Sequence, residues 1–204
     1  MSIEYLITAL ILVIAPGTGV IYTVATGLTS GRWSSISAAF GCTLGILPAM
    51  LASVLGLAAI LHTSALAFQV LKYLGVAYLL FLAWKTLNDS GPASLNTGKP
   101  GRGGYRRIAV HGMLVNVLNP KLSLFFLAFL PQFIDPAAGS VTQQVLLLGA
   151  VFMAMTFAVF SLYGVFASYA GNRLLRSETA MTWMRRSVAA AFAGFGLKLA
   201  LSER

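Results

Sequence analysis

The chain has 204 residues, of which 58% are hydrophobic and only 9% are charged. A soluble domain carries about 25% charged residues, and a globular core of this size could not bury so much apolar surface, so the composition excludes an ordinary soluble protein and predicts an integral membrane protein. We assign the net charge of +9 to loops that set orientation in the membrane, and we expect no nucleic-acid partner because the aromatic residues lie in apolar segments rather than among the basic ones.

Six stretches with few or no charged residues are long enough to cross a bilayer as helices, which takes about 20 apolar residues. In chain order, spans one to six are predicted at about 5–31, 36–61, 66–87, 108–134, 141–170 and 187–203. Between spans three and four, the stretch 88–107 is rich in Gly, Pro, Ser and Asn and is predicted to be a flexible linker. The fold class is therefore an all-α polytopic membrane protein with a single transmembrane domain over 1–204.

An even number of spans places both termini on one side, and the basic residues indicate which side. With the termini outside, ten Lys and Arg residues fall in inner loops and three fall outside. The inner ten are Arg32, Lys85, Lys99, Arg102, Arg106, Arg107, Arg173, Arg176, Arg185 and Arg186, and the outer three are Lys72, Lys198 and Arg204. Because inner loops are enriched in basic residues, the linker is predicted to be cytoplasmic.

The chain also shows a weak internal symmetry. Span one is interrupted near its middle by the sequence APGTG at 15–19, and span four is interrupted near its middle by NPK at 119–121. Three spans in each half must face opposite ways because three is odd. The pattern indicates two inverted three-helix repeats, 1–87 and 108–204, as in many secondary transporters.

The prolines in these interruptions are predicted to break their helices. Each removes a backbone donor and clashes with the preceding turn, so Pro16 should free the carbonyl of Leu12 and Pro120 that of Asn116. An unsatisfied polar group in hydrocarbon costs several kcal/mol, which favours a cavity or a substrate at both breaks. Pro48, in span two, is interpreted as an ordinary kink.

Lys121 is the strongest functional signal. A lysine at mid-span costs about 2.5–3.5 kcal/mol on insertion scales and usually faces a cavity, and two asparagines three residues apart lie on one helical face beside it. A substrate carboxylate would suit this cluster, assisted by backbone N–H groups at the start of the half-helix after the proline. The predicted substrate-binding residues are Pro16, Gly17, Asn116, Asn119, Pro120 and Lys121.

Other chemistry is poorly represented. The five carboxylates lie near span ends or in loops, and the chain has two histidines and one cysteine, Cys42, so we expect no metal site, disulfide or cofactor. No catalytic motif occurs in a credible context, so we do not expect an enzyme. Without a carboxylate in the membrane, a second positive charge on the substrate would lack a partner, which favours a neutral substrate.

Two alternatives to a carrier remain open. A non-transporting accessory subunit would have little use for a lysine in mid-membrane. A membrane redox or metal-handling protein would need paired cysteines or more metal ligands than the chain offers. His111 precedes Lys121 by nearly three helical turns, so it either lines the same path or lies at the interface.

Four segments together resemble the LysE/RhtB family of bacterial inner-membrane exporters of amino acids and their derivatives. They are APGTG (15–19), GCTLG (41–45), LKYLGVAYLLFLAWKTL (71–87) and NPKLSLFFLAFLPQF (119–133). The resemblance implies two inverted three-helix repeats, a homodimer, and export driven by the proton gradient. It points to Pro16, Gly17, Gly41, Gly45, Gly75, Tyr78, Asn119, Pro120 and Lys121, and it adds Gly45 and Tyr78 to His111 as candidates for coupling or for the path.

The chain departs from the family pattern at two places. The common Pro-Gly-Pro of span one is Pro-Gly-Thr here, which softens the first break. After Gly45, where many relatives carry a polar or acidic residue, this chain has Ile46 and Leu47. The residue that couples transport to protons is therefore not indicated by the family pattern.

Overall fold

The computed structural model of the protein describes residues 2–15, 17–61 and 104–170, with isolated helical positions between 73 and 84 and between 182 and 197. All regular elements in these ranges are helical. The α-helices are α1 (Ile3–Ile14), α2 (Thr18–Ser30), α3 (Arg32–Leu44), α4 (Leu47–Leu61), α5 (Gly104–Val117), α6 (Pro120–Leu124) and α7 (Val141–Ala170). A π-helical turn at Phe125–Phe129 and 3-10 turns at Leu130–Phe133 and Pro136–Ala138 connect α6 to α7.

Four of the predicted spans have counterparts among the described residues. Two helical segments are long and apolar enough to cross a membrane, Arg32–Gly56 and Val141–Tyr169. Two further candidates are bent pairs, α1 with α2 at 53° and α5 with the segment up to Phe133 at 58°. The all-α polytopic membrane fold is thus confirmed, while spans three and six lie largely outside the described residues and the inverted repeat stays a prediction.

Helix α1 begins and ends where local chemistry requires it. The Ser2 hydroxyl accepts a hydrogen bond from the Tyr5 N–H at 3.2 Å and so caps the first turn. Ala15 closes the helix with φ −56° and ψ 120°, because a residue that precedes proline is pushed toward extended geometry. Span one is therefore interrupted at Ala15, where the sequence predicted the interruption to begin.

Span two was predicted as one helix over about 36–61, and the structure corrects this. The helix begins at Arg32, directly after Gly31, whose φ of 82° permits a sharp turn between α2 and α3. It is then interrupted at Gly45 and Ile46, where Gly45 donates to the Gly41 carbonyl and ends α3. Pro48 lies in the first turn of the next helix, a position that tolerates proline.

The linker boundary also differs from the prediction. Residues 104–107, assigned to the linker on composition, form the first turn of α5. The Tyr105 carbonyl accepts a hydrogen bond from the Ser37 hydroxyl at 2.6 Å, which fastens this turn to α3. Tertiary contact has extended the helix into a segment whose composition suggested a loop.

Small residues bring the helices close together. A Cβ on Gly27 would collide with the backbone of Gly164, and one on Gly41 would collide with the backbone of Ala109. These contacts join α2 to α7 and α3 to α5, as is common where membrane helices pack through glycine. Helix α7 also packs on α1, α3 and α4, so it lies against the first broken span and against span two.

Candidate functional site

At the first break, the carbonyl groups at the end of α1 lack a hydrogen-bond donor from their own helix. Leu12 is the residue whose carbonyl Pro16 was predicted to free. Its oxygen accepts a hydrogen bond from Lys121 Nζ at 2.8 Å, and the Ala15 oxygen accepts another at 3.0 Å. A cation at the carboxyl end of a helix is stabilised by the helix dipole and by the unpaired carbonyls. The side chain of Lys121 therefore joins the two broken spans.

The second break is shaped by Asn119. This residue is extended, with φ −83° and ψ 106°, and its side-chain oxygen accepts from the Lys121 N–H at 3.1 Å. Asparagine favours this capping role because its short amide reaches the first free N–H groups of a helix. The cap starts α6 at the position where the lysine side chain reaches across to α1.

Asn116 links the second break to α3. Its Nδ2 donates to the Cys42 carbonyl at 2.8 Å, and its Oδ1 accepts from Asn119 Nδ2 at 3.4 Å. Both asparagines are almost fully buried. The amides are thus held in fixed orientation by one another and by a backbone carbonyl.

The glycines of the first break make room for these side chains. A Cβ on Gly17 would lie 3.4 Å from Lys121 Nζ, and one on Gly19 would lie 2.6 Å from Asn116 Oδ1. Gly45 lies on the other side, where a Cβ would be 2.8 Å from the Asn116 Cβ. Glycine is required at Gly19 and Gly45 by close approach rather than by backbone conformation.

Two expectations about the second break are wrong. The Asn116 carbonyl is not left open by Pro120, since it accepts from the Asn119 N–H at 3.1 Å in a tight turn. The N–H groups that begin α6 are also used, because Lys121 bonds the Asn119 side chain and Leu122 bonds the Asn119 carbonyl. Local capping satisfies these groups, so the break offers side chains rather than free backbone.

The structure therefore gathers Gly17, Gly45, Asn116, Asn119 and Lys121 around the two breaks, with Pro120 opening α6. Pro16 and Tyr78 lie outside the described residues. His111 is exposed on α5 and packs against the Tyr22 ring at a centroid distance of 5.1 Å. No described contact joins this histidine to the cluster.

Sequence reasoning missed two contributors to the site. One is the Cys42 carbonyl, and a backbone oxygen leaves no mark in a sequence. The other is Tyr163 on α7, whose hydroxyl donates to the Ile14 carbonyl at 3.2 Å. A polar-tipped aromatic residue in the uncharged span five was the available signal for it. Within the described ranges no three His, Cys, Asp or Glu residues approach closely enough to hold a metal ion.

These features define the class of protein: a polytopic helical membrane protein in which two broken spans meet and a lysine from one binds the carbonyls of the other. Comparison with known families shows to which family within that class the chain belongs. The family description LysE type translocator matches residues 10–203, and the chain belongs to this family.

Characterised and uncharacterised bacterial proteins are similar to the chain over most of its length. A membrane protein of Vibrio cholerae is 32% identical over 98% of this chain and 97% of its own. A leucine efflux protein of an Enterobacter species is 28% identical over 96% and 93%, and a homoserine/homoserine lactone efflux protein of Salmonella typhimurium is 31% identical over 80% and 78%. No solved structure matches the chain significantly.

Proposed function

We propose that this protein exports a neutral amino acid or amino-acid derivative across the bacterial inner membrane at the expense of the proton gradient. The observation that carries the proposal is the Lys121 ammonium, which binds carbonyls of the first break from its place in the second. Two of the similar proteins are named for efflux, one of leucine and one of homoserine or homoserine lactone. Family membership makes translocation the appropriate class of activity.

The substrate carboxylate is proposed to bind Lys121. A carboxylate is a stronger acceptor for an ammonium donor than a neutral carbonyl is, because its charge adds to the hydrogen bond. It can therefore replace the Leu12 or Ala15 oxygen in the coordination of Nζ.

The same exchange provides a partner for the α-ammonium group of the substrate. Carbonyls at the carboxyl end of α1 that Lys121 releases are acceptors at the negative end of a helix dipole. A zwitterionic amino acid can thus place its carboxylate on Lys121 and its ammonium on Leu12 or Ala15. Binding would replace the direct bridge between the two breaks by a bridge through the substrate.

This exchange suggests how binding couples to movement. While Lys121 holds α1, the two broken spans are tied together at the site. A substrate that takes over both ends of the bridge changes which contacts hold them, and such differential contacts are what shift a conformational equilibrium. The two halves are proposed to be inverted repeats of one transmembrane domain, residues 1–87 and the part from α5 onward, joined by the linker that precedes Gly104, in a homodimer.

Neutral substrates are proposed because all five carboxylates fall near span ends or in loops. A cationic side chain would bring a second charge that must be desolvated without a partner. Ile46, directly after Gly45, is fully buried and apolar, so proton coupling is proposed to use another residue. The proposed role of Lys121 is to bind the substrate carboxylate.

The function is tested by loading cells with dipeptides of varied composition and measuring which free amino acid leaves faster when the protein is overproduced. We expect faster efflux of neutral amino acids and no gain for lysine or arginine. Lysine efflux faster than that of any neutral amino acid contradicts the neutral-substrate proposal. No acceleration of any amino acid contradicts export itself and favours an accessory role.

Orientation is tested separately. Reporter enzymes fused at positions within 90–105 are expected to be active only if they function in the cytoplasm, and carboxy-terminal fusions only if they function in the periplasm. The reason is the ten-to-three distribution of basic residues between the two sides. Activity of periplasmic reporters fused within 90–105 would contradict the proposed orientation, in which the linker is cytoplasmic.

A further inference from the structure

Thr156, near the middle of α7, has a buried hydroxyl that forms no hydrogen bond with any described residue. Its side chain is only 2% exposed. A buried hydroxyl without a partner is rare, because it loses its hydration and receives nothing in exchange. Such a group in a transport protein calls for a physical reason.

Four other threonines in the described helices contrast with Thr156. Each of these four donates its hydroxyl to the carbonyl four residues earlier at 2.8–2.9 Å; they are Thr23, Thr26, Thr29 and Thr43. This local bond is the ordinary way for a helical threonine to satisfy its hydroxyl in apolar surroundings. Thr156 does not form it, so its hydroxyl is available to a group outside its own helix.

The face of α7 that carries Thr156 lies against both breaks. Residues four apart lie on nearly the same side of a helix, about 6 Å apart along its axis, so Phe152 and Phe160 flank Thr156. The Phe152 ring stacks on Phe125 at 4.8 Å between centroids, just beyond α6. Phe160 Cε2 lies 2.9 Å from where a Cβ on Gly19 would be. Thr156 lies between these two contacts.

The position of Thr156 along α7 can be compared with positions along α1, because two hydrogen bonds join these helices. The Tyr5 hydroxyl donates to the Leu148 carbonyl at 2.6 Å, and the Tyr163 hydroxyl donates to the Ile14 carbonyl at 3.2 Å. Helices α1 and α7 therefore run in the same direction, and Thr156 lies about midway between the two contacts on α7. This places it opposite the middle of α1, within about two helical turns of the Leu12 and Ala15 carbonyls that the lysine ammonium binds.

We propose that Thr156 is a specificity-determining residue of the transport site, and that its hydroxyl binds a hydrogen-bonding group on the substrate side chain. The proposal rests on the proposed function. Phe152 and Phe160 supply apolar walls for the carbon atoms of that side chain, and Thr156 supplies the polar contact between them. An isosteric apolar substrate would leave the hydroxyl unpaired, and sites built to pair a buried polar group discriminate strongly against such analogues.

Threonine and valine form the appropriate pair of probes, because they are nearly isosteric and differ in one hydroxyl. Each is supplied as a dipeptide with alanine to cells that overproduce the protein, and the initial efflux rates are compared. The parent is expected to export threonine about tenfold faster than valine or more, given the discrimination that a paired hydroxyl provides. Thr156→Val should reduce the ratio mainly by slowing threonine, and Thr156→Ser should keep it.

Ser161→Ala is the matched control. The Ser161 hydroxyl is also buried and forms no hydrogen bond with a described residue, but it lies about 140° around the helix from Thr156. Removing it should leave the threonine-to-valine ratio unchanged. Because Thr156→Val removes an unsatisfied group, that variant should be present in the membrane in parental amounts.

The outcomes separate the two proposals. A ratio that Thr156→Val leaves unchanged, with export still dependent on Lys121, overturns the role of Thr156 and leaves the proposed function standing. A parent without preference for threonine, or an equal fall for both amino acids in Thr156→Val, overturns it as well, because that is the signature of a structural role. A parent that exports no neutral amino acid overturns both.

Discussion

The two proline breaks bend their spans by similar angles, 53° and 58°, yet they contribute opposite chemistry. The first break presents backbone: the carbonyls of Leu12 and Ala15 and the bare positions of Gly17 and Gly19. The second break satisfies its backbone locally and presents side chains, two amides and one ammonium. The side chains of the second break therefore occupy the space that the glycines of the first break leave open, and the ammonium among them binds the carbonyls of the first break.

The comparison shows why a proline alone does not make a site. At Pro120 the neighbouring asparagine caps the new helix and closes the turn, so the backbone needs nothing from outside. At Leu12 the leftover carbonyl has a partner only because a long cationic side chain reaches it from another span. The functional character of a break depends on what meets it across the interface.

The largest effect is expected from removing the charge that joins the two breaks. Lys121→Met keeps the stem length, and export should fall about tenfold or more, since a charge-assisted hydrogen bond contributes roughly 1.5–3 kcal/mol. Lys121→Arg should rescue only partly, because a planar guanidinium has a different geometry. Efflux of a neutral amino acid is the measurement, normalised to the protein present in the membrane.

The structure adds a condition to this test. The methionine variant loses two hydrogen bonds to α1, so its thermal stability in detergent should be measured beside its export. A methionine variant present at parental amounts and exporting at the parental rate would make Lys121 a structural charge. The comparison of the two breaks would then describe packing and not transport.

A smaller loss of export is expected from adding a side chain at a glycine of the first break. A Cβ at Gly19 would lie 2.6 Å from Asn116 Oδ1 and 2.9 Å from Phe160, so Gly19→Ala should destabilise the protein by about 1–3 kcal/mol, as overpacking does, and reduce export severalfold. Gly17→Ala is its matched control, because that Cβ would meet Lys121 Nζ at an ordinary 3.4 Å. Thermal stability in detergent is the measurement for this pair, and a greater loss of stability from Gly17→Ala than from Gly19→Ala would contradict the assignment of the close approach.

The smallest effects distinguish the cap from the proline in the second break. Asn119→Ala removes the side-chain bond to the Lys121 N–H, which should cost about 0.5–2 kcal/mol and lower export by a few fold, while Asn119→Ser should retain most of it. Pro120→Ala should change export by less than about twofold, because proline at the first helical position only lacks an N–H that is unpaired anyway. Transport assays on the three variants give the order. Equal damage from Pro120→Ala would mean that the proline, and not the cap, maintains the break.

Much of the fold could be predicted because its signals are local. Apolar length predicts a span, and a proline in mid-span predicts a break, without knowledge of any neighbour. Span five, predicted at about 141–170, is one uninterrupted helix over Val141–Ala170. The interruption at Gly45 was missed because glycine is tolerated in membrane helices, and it ends α3 here where α5 approaches closely.

The sequence by itself determined that the chain belongs in lipid, where its first and fourth spans break, and that an ammonium lies at mid-membrane. Only the tertiary structure decided that this ammonium binds Leu12 and Ala15 and that the Asn116 amide binds the Cys42 carbonyl. It also decided that the Thr156 hydroxyl on α7 forms no hydrogen bond with any residue that the structure describes. The physical reason is that every residue carries the same carbonyl, so the sequence does not distinguish the few that lack a local donor and lie within reach of a distant side chain. That distinction arises when the helices pack.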